Sequence, residues 1–395
     1  MLFHVFSTFA PGGPEVRAVE IMNGLGRRFR HAILSIDGRY SAATRIQADI
    51  EYVLLRIPPR GNRGIERAGL GLVRASLRLA AEAIMIGRQI QKYKPALILT
   101  YNLGAIAAVI VVSLTGLAPL IHFEDGFGQD ELVRRNRRRN LIRKFVLPSA
   151  RRVVVPSQSL QKLLLAECKL PGNLVCCIPN GVNTVAFSPI NSLEARRALG
   201  LPTGAMSFGT VCHLRPEKRL DLLIRAFHEA NLPGSILFIA GNGPCREILI
   251  RLATDLGLQD RIFWAGEVLA SPLHYSAIDV FVSSSDTEQL PLALLEAMSN
   301  ALPVISTDVG DCGRVLSGSP PQLLVPAGDI QSLAAAMRWA HANPNCLRNI
   351  GDANRRHCTA NYGHTSMIQR HLAIYNEAIH RDVCKPKRRD LNERI

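Results

Sequence analysis

The sequence predicts two doubly wound α/β domains, each built on a parallel β-sheet and facing the other across a cleft. Its 395 residues suffice for two domains at about 150 residues each. Short apolar runs alternate with helix-length amphipathic segments, a pattern typical of parallel strands joined by crossover helices. The series is interrupted once, by the turn sequence Pro179-Asn180-Gly181 and the loop that follows it. We therefore divide the chain into residues 1–180 and 181–364, followed by a final helix.

The predicted strands follow directly from the apolar runs. In the first domain they are residues 2–6, 32–36, 96–100, 120–123 and 152–155, and in the second 207–212, 235–240, 261–265, 280–283, 303–306 and 323–325. Residues 95–121 contain no charge and are long enough to cross a bilayer. The polar Tyr101-Asn102 pair and the breakers Gly116 and Pro119 favour a strand, a helix and a second strand instead.

Composition excludes several classes of protein. With 47% apolar and 20% charged residues, the chain is neither disordered nor collagenous. Its nine cysteines form no CxxC pair and no Cys/His spacing, so we expect reduced thiols and no metal site. No basic segment precedes the first apolar run, so we expect no secretory signal and a cytoplasmic location.

The charge is unevenly distributed. Residues 1–190 carry 26 basic and 12 acidic side chains, whereas residues 191–395 carry 21 and 20. The first half is therefore expected to meet an anionic membrane surface or nucleic acid, unless it only presents a solvated basic face.

Residues 284–308 carry the most specific signal for chemistry. Glu288 lies on a loop after a predicted strand, and Pro291 suits the first turn of a helix that contains Glu296. Helical side chains lean toward the N-terminus, so both carboxylates are expected to flank a partly positive helix end. Phosphate fits that helix end, and carboxylates bind neighbouring hydroxyls, which outlines a nucleotide sugar.

At these residues the sequence resembles the retaining glycosyltransferases of the two-domain GT-B fold, in particular family GT4, whose signature is E-x7-E. The neighbouring segments 279–282, 294–298 and 302–310 match that family as well. The resemblance implies a catalytic role for Glu288 at the donor sugar and places Glu296 on the nucleotide ribose. Gln289 stands where the family commonly has glycine. The resemblance also implies that the first domain, residues 1–180, faces the acceptor and that the second, residues 181–364, binds the nucleotide sugar. It further implies that the final helix, here about 365–395, packs back on the first domain.

Further motifs match the same family. The resemblance places Lys218 on the donor diphosphate, where a cation stabilises the leaving group. The family's arginine aligns with His213, so either Arg215 takes that role or His213 donates a hydrogen bond. The loop containing Gly241 and Gly243 is expected beside the diphosphate, and Gly266-Glu267-Val268 beside the base.

Two loops of the first domain also match. The loop 11–17, with Gly12, Gly13 and Arg17, resembles the glycine-rich loop that closes over the donor phosphates, ahead of a helix expected from residue 18. His122 ends a predicted strand where the family has a histidine facing the reacting sugar and the acceptor hydroxyl. A histidine there acts as a base or only orients the substrate, and a satisfied core histidine is the alternative.

Residues 130–147 concentrate the basic surplus. Cations there alternate with apolar side chains, which predicts a basic amphipathic surface helix that docks on anionic lipid. The segment has no aromatic stacking pattern or nucleic-acid motif, so we expect no nucleic-acid partner.

The sequence thus predicts a peripheral membrane enzyme of the cytoplasm, without cofactor or metal. It would move a hexosyl group from a UDP- or GDP-sugar to a glycan or lipid-linked acceptor with retention, in cell-surface polysaccharide or glycolipid synthesis. Two alternatives remain: a nucleotide-sugar epimerase or hydrolase on the same fold, and a non-enzymatic basic protein that binds membrane or nucleic acid. A nicotinamide dehydrogenase is disfavoured because no Gly-x-Gly-x-x-Gly follows the first strand.

Overall fold

The computed structural model describes residues 1–56, 71–126, 137–267, 271–318, 320 and 323–380, with the side chains of 71–78 and 137 excepted. The chain forms two α/β domains, and every strand pairing in the described part is parallel. The predicted fold class is confirmed.

The first sheet has seven strands: β1 Leu2–Phe6, β2 His31–Ser35, β3 Tyr52–Leu55, β4 Leu97–Tyr101, β5 Leu120–Phe123, β6 Arg152–Val155 and β7 Val175–Cys177. Their order is β3-β2-β1-β4-β5-β6-β7. The second sheet has six: β8 Met206–Val211, β9 Ser235–Ala240, β10 Ile262–Gly266, β11 Val280–Ser283, β12 Val304–Thr307 and β13 Leu324–Val325. Their order is β10-β9-β8-β11-β12-β13.

Helices cover both faces of each sheet. Those of the first half are α1 Gly13–Leu25, α2 Gly71–Tyr93, α3 Ile106–Thr115, α4 Arg137–Val146 and α5 Gln158–Glu167. Those that follow are α6 Ser192–Ala198, α7 Leu220–Ala230, α8 Arg246–Asp255, α9 Pro272–Ser276, α10 Leu292–Ser299, α11 Cys312–Val315, α12 Ile330–Ala342, α13 Pro344–Asn361 and α14 His364–His380.

The strands missing from the prediction are the two edges of the first sheet. β3 leaves three of its four residues exposed, so its side chains show no buried pattern. β7 has only three residues. An edge strand pairs on one side alone, and the sequence signal of a strand buried on both faces is absent there.

The uncharged segment 95–121 forms β4, α3 and β5, as predicted. In the part of the chain that the structure describes, no helix combines the length and the apolar character needed to cross a bilayer.

The first helix begins earlier than expected. α1 starts at Gly13 and not at residue 18, with Pro14 in its first turn and Gly12 extended ahead of it. The N–H of Val16 already donates to the Gly12 carbonyl at 2.9 Å. Proline is favoured in a first helical turn because its missing N–H is not needed there. Arg17 is therefore a helical residue and not a loop residue.

The strand orders fix where a ligand can bind. The chain direction around each sheet reverses between β1 and β4 in the first and between β8 and β11 in the second. Loops at such switch points separate and leave a crevice at the carboxyl ends of the strands. The loops after β1, β4, β8 and β11 are therefore the ones that can form a site.

The chain crosses between the domains twice, and the crossings are bonded to each other. The Val182 N–H donates to the Tyr362 carbonyl at 2.8 Å, and the His364 N–H donates to the Val182 carbonyl at 3.0 Å. After the second crossing, α14 packs on α1, β4 and β5, with Ile368 against Gly24. The first sheet is thus covered on one face by a helix that follows the second domain in the chain.

Candidate functional site

Two predicted residues meet at the switch point of the second sheet. Lys218 closes a short helical turn after β8, and its ammonium group forms an ion pair with Glu288, which follows β11. The Ser285 hydroxyl donates to the same carboxylate oxygen at 2.9 Å. Burial acts to lower the pKa of Lys218, but the Glu288 carboxylate outweighs it and the pKa is raised. The pair forms the polar wall of a narrow pocket that the start of α10 also lines.

Glu296 lies on α10, but its hydrogen-bond partner does not belong to the Lys218–Glu288 pair. Its carboxylate accepts a hydrogen bond of 2.5 Å from the hydroxyl of Tyr275, a fully buried side chain. Burial raises the pKa of Glu296 to about 7, against the effect of that hydrogen bond. Among the described residues, no hydrogen bond links Glu296 to Glu288. The ribose-binding role of Glu296 stays a prediction.

Two further predicted residues lie open to solvent beside Lys218. Arg215 is about half exposed, with Nη1 4.0 Å from the Glu217 carboxylate. His213 is exposed overall, but its ring loses part of its contact with water. This partial desolvation, together with the nearby Arg215, lowers the pKa of His213. A neutral imidazole beside an exposed guanidinium is compatible with either of the two roles expected of this pair.

Packing of the surrounding loops requires glycine at positions 241 and 243, after β9. A Cβ atom at Gly241 would lie 1.8 Å from the Cys212 carbonyl oxygen, and one at Gly243 would lie 2.5 Å from the Leu214 oxygen. The Gly241 N–H also donates to the Gly266 carbonyl at 2.7 Å. The glycines therefore allow the loops after β8, β9 and β10 to pack together. Their predicted place beside a diphosphate stays a prediction, and Val268 lies outside the described residues.

In the first domain, Arg17 points into the protein. Its Nη1 lies 2.5 Å from an Asp125 carboxylate oxygen and 3.1 Å from the Asn180 amide oxygen, and only 3% of its side chain is exposed. The guanidinium also lies 5.7 Å from the ring centre of Phe123. Gly12 is half-buried and Gly13 is exposed. The closure of this loop over phosphates stays a prediction, with Arg17 bound to protein groups in this structure.

His122 is buried completely and does not present its ring to the cleft. Its Nδ1 lies 2.9 Å from the Thr100 hydroxyl and its Nε2 lies 3.6 Å from the Glu124 carboxylate. The same carboxylate accepts a hydrogen bond of 3.0 Å from Arg143 Nε. Side chains alternate along a strand, and position 122 faces the helices behind the sheet. Its catalytic role stays a prediction that this geometry does not favour.

The predicted basic surface helix is present in part. α4 covers residues 137–146 of the predicted 130–147, and residues 130–136 lie outside the described residues. Leu141, Ile142 and Phe145 are 51%, 38% and 72% exposed. The predicted surface segment 130–147 includes Arg143, and for this residue the prediction is wrong. It is buried against Glu124, and that pairing offsets the cost of removing its charge from water.

Three polar residues that carry no predicted role connect the domains. Asp311, which follows β12, accepts hydrogen bonds from the N–H groups of Gln158 at 2.8 Å and Ser159 at 3.0 Å. Gln289 accepts from the Ser157 hydroxyl at 2.9 Å. The Asn180 amide donates to the Leu290 carbonyl at 2.7 Å. No local pattern identifies these pairs, because their partners lie more than a hundred residues away in the chain.

A fourth missed residue, Glu15, lies in the first turn of α1. Its carboxyl is buried close to Asp125, Arg17 and Arg215, and burial raises its pKa to about 7. The signal available in the sequence was its position, since it follows β1 at the carboxyl edge of the sheet. Asp125 follows β5 at the same edge.

Family comparisons match both halves of the chain. Residues 11–185 match the family described as Glycosyltransferase Family 4, and residues 191–357 match the family described as Glycosyl transferases group 1. Together the two matches leave residues 1–10, 186–190 and 358–395 uncovered.

Several curated proteins are similar in sequence. A "Lipopolysaccharide core biosynthesis mannosyltransferase" of Rhizobium meliloti is 33% identical over 40% of this chain and 48% of that protein. A "GDP-mannose-dependent alpha-(1-6)-phosphatidylinositol monomannoside mannosyltransferase" of Mycolicibacterium smegmatis is 29% identical over 47% of this chain and 52% of its own length. The chain therefore spans about half the length of these relatives.

Solved structures are similar over nearly the whole fold. Anabaena HepE bound to UDP-glucose matches with a TM-score of 0.78 and 18% identity, covering 95% of this chain and 99% of that one. The sucrose-phosphate synthase of Thermosynechococcus elongatus matches with a TM-score of 0.77 and 21% identity, covering 95% and 98%. At this identity the likeness establishes the two-domain GT-B architecture.

Proposed function

Because the chain belongs to the group 1 glycosyltransferases of family GT4, we propose that it transfers a hexosyl group from a nucleoside-diphosphate sugar to a hydroxyl of a glycan or lipid-linked acceptor. The donor binds at the switch point of the second sheet. We further propose that the anomeric configuration is retained and that no metal takes part.

The observation that carries this proposal is the pairing of Lys218 with Glu288 at that switch point. In this structure the two groups satisfy each other. The oxygens of a diphosphate pair with the Lys218 ammonium group, and sugar hydroxyls donate hydrogen bonds to the Glu288 carboxylate. A nucleotide sugar therefore replaces both partners at once, whereas phosphate alone would leave the Glu288 carboxylate with the Ser285 hydroxyl and no cation.

In the proposed reaction, the bond between the anomeric carbon and the phosphate oxygen breaks. The acceptor oxygen bonds to the same face of that carbon, and its proton passes to the departing phosphate. Charge builds on the diphosphate as the bond breaks, so Lys218 and the exposed Arg215 stabilise the transition state more than the ground state.

The relatives' names indicate the range of donors and acceptors to test. They include a GDP-mannose-dependent enzyme, a UDP-galactose-dependent enzyme whose acceptor is a diphosphoundecaprenol, and an N-acetylglucosaminyltransferase. We propose a UDP- or GDP-hexose for this chain and an acceptor in cell-surface polysaccharide or glycolipid synthesis.

Calorimetry of the purified protein with UDP, GDP, ADP and NAD tests the donor site. One nucleoside diphosphate should bind and raise the unfolding temperature, and Lys218→Ala should remove both effects. Lys162→Ala, an exposed lysine on α5, is the control. No binding by any nucleotide would refute the donor site.

Product analysis then tests the reaction. NMR of the product with the selected donor sugar should show a new glycoside of unchanged anomeric configuration, formed equally well in EDTA. An altered free hexose or nucleotide sugar without a glycoside would favour the epimerase or hydrolase alternative.

We also propose that α4 docks on the anionic cytoplasmic face of a membrane. Leu141, Ile142 and Phe145 are exposed on it beside the cationic Lys144. An interfacial helix binds a membrane in this way, because its apolar side chains enter the bilayer while its cations stay at the lipid phosphates.

Vesicle sedimentation tests this surface. The protein should bind phosphatidylglycerol vesicles and not phosphatidylcholine vesicles, and Phe145→Ser with Leu141→Ser should abolish binding. Leu193→Ser, which removes a comparably exposed leucine from the second domain, is the control. Binding of duplex DNA with equal affinity would contradict the membrane assignment.

A further inference from the structure

The two residues that directly follow Glu288 are bonded to groups of the first domain. Gln289 accepts a hydrogen bond of 2.9 Å from the Ser157 hydroxyl, and the Leu290 carbonyl accepts one of 2.7 Å from the Asn180 amide. Glu288 itself pairs with Lys218 inside the second domain. The residue proposed to hold the donor sugar is therefore followed at once by two residues whose partners belong to the other domain.

The Ser157 hydroxyl has two fixed partners. As the N-cap of α5, it accepts a hydrogen bond of 3.1 Å from the Leu160 N–H, and it donates to Gln289. Ser157 is completely buried. Because a hydroxyl has one hydrogen to donate, the capping bond uses the oxygen and leaves that hydrogen for Gln289. The Gln289 oxygen is thus held at one defined point of the first domain.

A glycine of the first domain leaves room for the Gln289 side chain. Gly126 has a φ of 138°, and a Cβ atom there would lie 3.3 Å from Gln289 Cγ and 3.4 Å from its amide nitrogen. A side chain at position 126 would therefore press against Gln289, whereas glycine permits the close approach. The Gln289 side chain lies between the loop after β5 and the start of α5, both of the first domain.

The backbone behind Glu288 is linked to the first domain a second time. A Cβ atom at Gly310, which has a φ of 59°, would lie 2.1 Å from the Glu288 carbonyl oxygen and 2.7 Å from the Gln289 carbonyl oxygen. The neighbouring Asp311 N–H donates to the Gln289 carbonyl at 2.9 Å. The Asp311 carboxylate accepts from two N–H groups at the start of α5. The loop after β12 thus packs on this backbone and carries it to α5.

The second domain holds only the beginning of the loop between β11 and α10. There the Asp286 N–H donates to the Glu217 carbonyl at 2.9 Å. At the other end, among the described residues, no side chain caps α10. The end of the loop is held instead by the contacts of Gln289 and Leu290 with the first domain. Glu288, between these two ends, takes its position from both domains.

We propose that Gln289 is a positioning residue. Through the Ser157 hydroxyl it holds the Glu288 carboxylate where that group accepts hydrogen bonds from the donor sugar. Lys218 and Arg215, proposed to bind the diphosphate, belong to the loop after β8, which this bond does not hold. The bond therefore serves the sugar part of the donor and not the diphosphate part. This inference rests on the proposed function, since Glu288 has a sugar to bind only if the ligand is a nucleotide sugar.

Calorimetric titration with UDP and UDP-glucose, and with GDP and GDP-mannose, tests this role. Gln289→Met keeps the length of the side chain and removes the acceptor. It should weaken the nucleotide sugar that the wild type binds about tenfold, because a misplaced carboxylate loses a hydrogen bond to that sugar. The corresponding free nucleoside diphosphate should bind at least as tightly as it does to the wild type, because Lys218 keeps its charge.

A conservative variant tests whether the hydrogen bond itself matters. Gln289→Glu keeps an oxygen for the Ser157 hydroxyl and places a negative charge at the positive start of α5. It should bind the nucleotide sugar within about twofold of the wild type. Gln331→Met, at an exposed position of the second domain, is the matched control and should bind both ligands as the wild type does.

A double-mutant cycle identifies the partner. Ser157→Ala removes the donor and should weaken the nucleotide sugar in the same way as Gln289→Met. Because the two substitutions break the same bond, the double variant should bind no more weakly than Gln289→Met alone, within about twofold.

The outcomes separate the two proposals. Failure of the wild type to bind any nucleotide or nucleotide sugar overturns the proposed function. If the wild type binds both ligands, the role of Gln289 alone is overturned when Gln289→Met weakens both ligands equally or weakens neither. It is overturned as well when the losses in Gln289→Met and Ser157→Ala multiply in the double variant.

Discussion

The two halves of the cleft are built differently, although both lie at the switch point of a parallel sheet. In the second domain, Lys218 and Glu288 are partly exposed and satisfy each other through one ion pair. In the first domain, Arg17, Asp125, Glu124 and Arg143 are buried in pairs that share further partners. We therefore expect the Lys218–Glu288 pair to exchange partners when a ligand binds, whereas the buried pairs of the first domain keep a fixed geometry.

The largest expected effect concerns the buried ion pairs of the first domain. Arg143→Met leaves the buried Glu124 carboxylate without its guanidinium, and we expect the free energy of unfolding to fall by about 3–5 kcal/mol. The control is Arg30→Met, which breaks an exposed pair with Glu51 and should cost less than about 1 kcal/mol. Denaturant unfolding measures both. Equal losses would mean that the buried network does not stabilise the first domain.

The next effect is a dependence on pH through Glu15. Burial raises its pKa to about 7, so the folded protein binds more protons than the unfolded chain between about 4.5 and 7. The stability contributed by this group is present below that window and is lost as the pH rises through it. Glu15→Gln should therefore gain on the order of 2 kcal/mol relative to wild type between pH 5 and pH 8.

Denaturant unfolding at the two pH values measures this difference. Glu194→Gln, at an exposed position on α6, should keep the wild-type profile. A constant difference between Glu15→Gln and wild type would show that Glu15 is not buried in solution.

A smaller effect tests whether Lys218 and Glu288 exchange partners when a ligand binds. If Glu288 competes with the diphosphate for Lys218, Glu288→Gln should strengthen the binding of the free nucleoside diphosphate about tenfold while transfer is lost. Asp286→Asn is the control, because Asp286 pairs with Arg219 and not with Lys218. Calorimetry measures the affinity. A weaker nucleoside diphosphate complex in Glu288→Gln would mean that Glu288 positions Lys218 for the phosphates and does not compete with them.

The smallest effect concerns the contact between the halves. Asp311→Ala removes an acceptor from two N–H groups of α5 and should cost about 1 kcal/mol. It should also widen the distribution of domain arrangements in small-angle scattering. Asp329→Ala removes a similar cap on α12 within one domain and should leave the scattering unchanged. Identical scattering of both variants would show that Asp311 does not restrain the domains.

Sequence patterns identified candidate residues in the second domain more readily than the buried network of the first domain, for a physical reason. Lys218, Glu288 and Glu296 lie in local motifs, with loop and helix signals a few residues away. The contacts of Asp125 are with Arg17 and Asn102, which only the folded sheet brings to it. His122 occupies the expected strand end. Side chains alternate between the two faces of the sheet, and position 122 falls on the face that the helices cover, so the ring lies in the core.

The fold itself was predicted almost completely, because strands buried on both faces leave continuous apolar runs. The edges β3 and β7 were missed, since an exposed or very short strand leaves no such run. Gln289 shows a third limit. The substitution at a position where the family commonly has glycine was visible, but its contact with Ser157 of the other domain was not.

The last described helix has a consequence for how this protein is made. Met367, Ile368 and Tyr375 of α14 belong to the same apolar cluster as Phe6, Val19 and Met22 of the first domain. On the ribosome the whole second domain is synthesised before α14 appears, an interval on the order of ten seconds or more. During that time one face of the nascent first domain lacks its cover. Chaperone binding and premature association of nascent chains should therefore concentrate on that face.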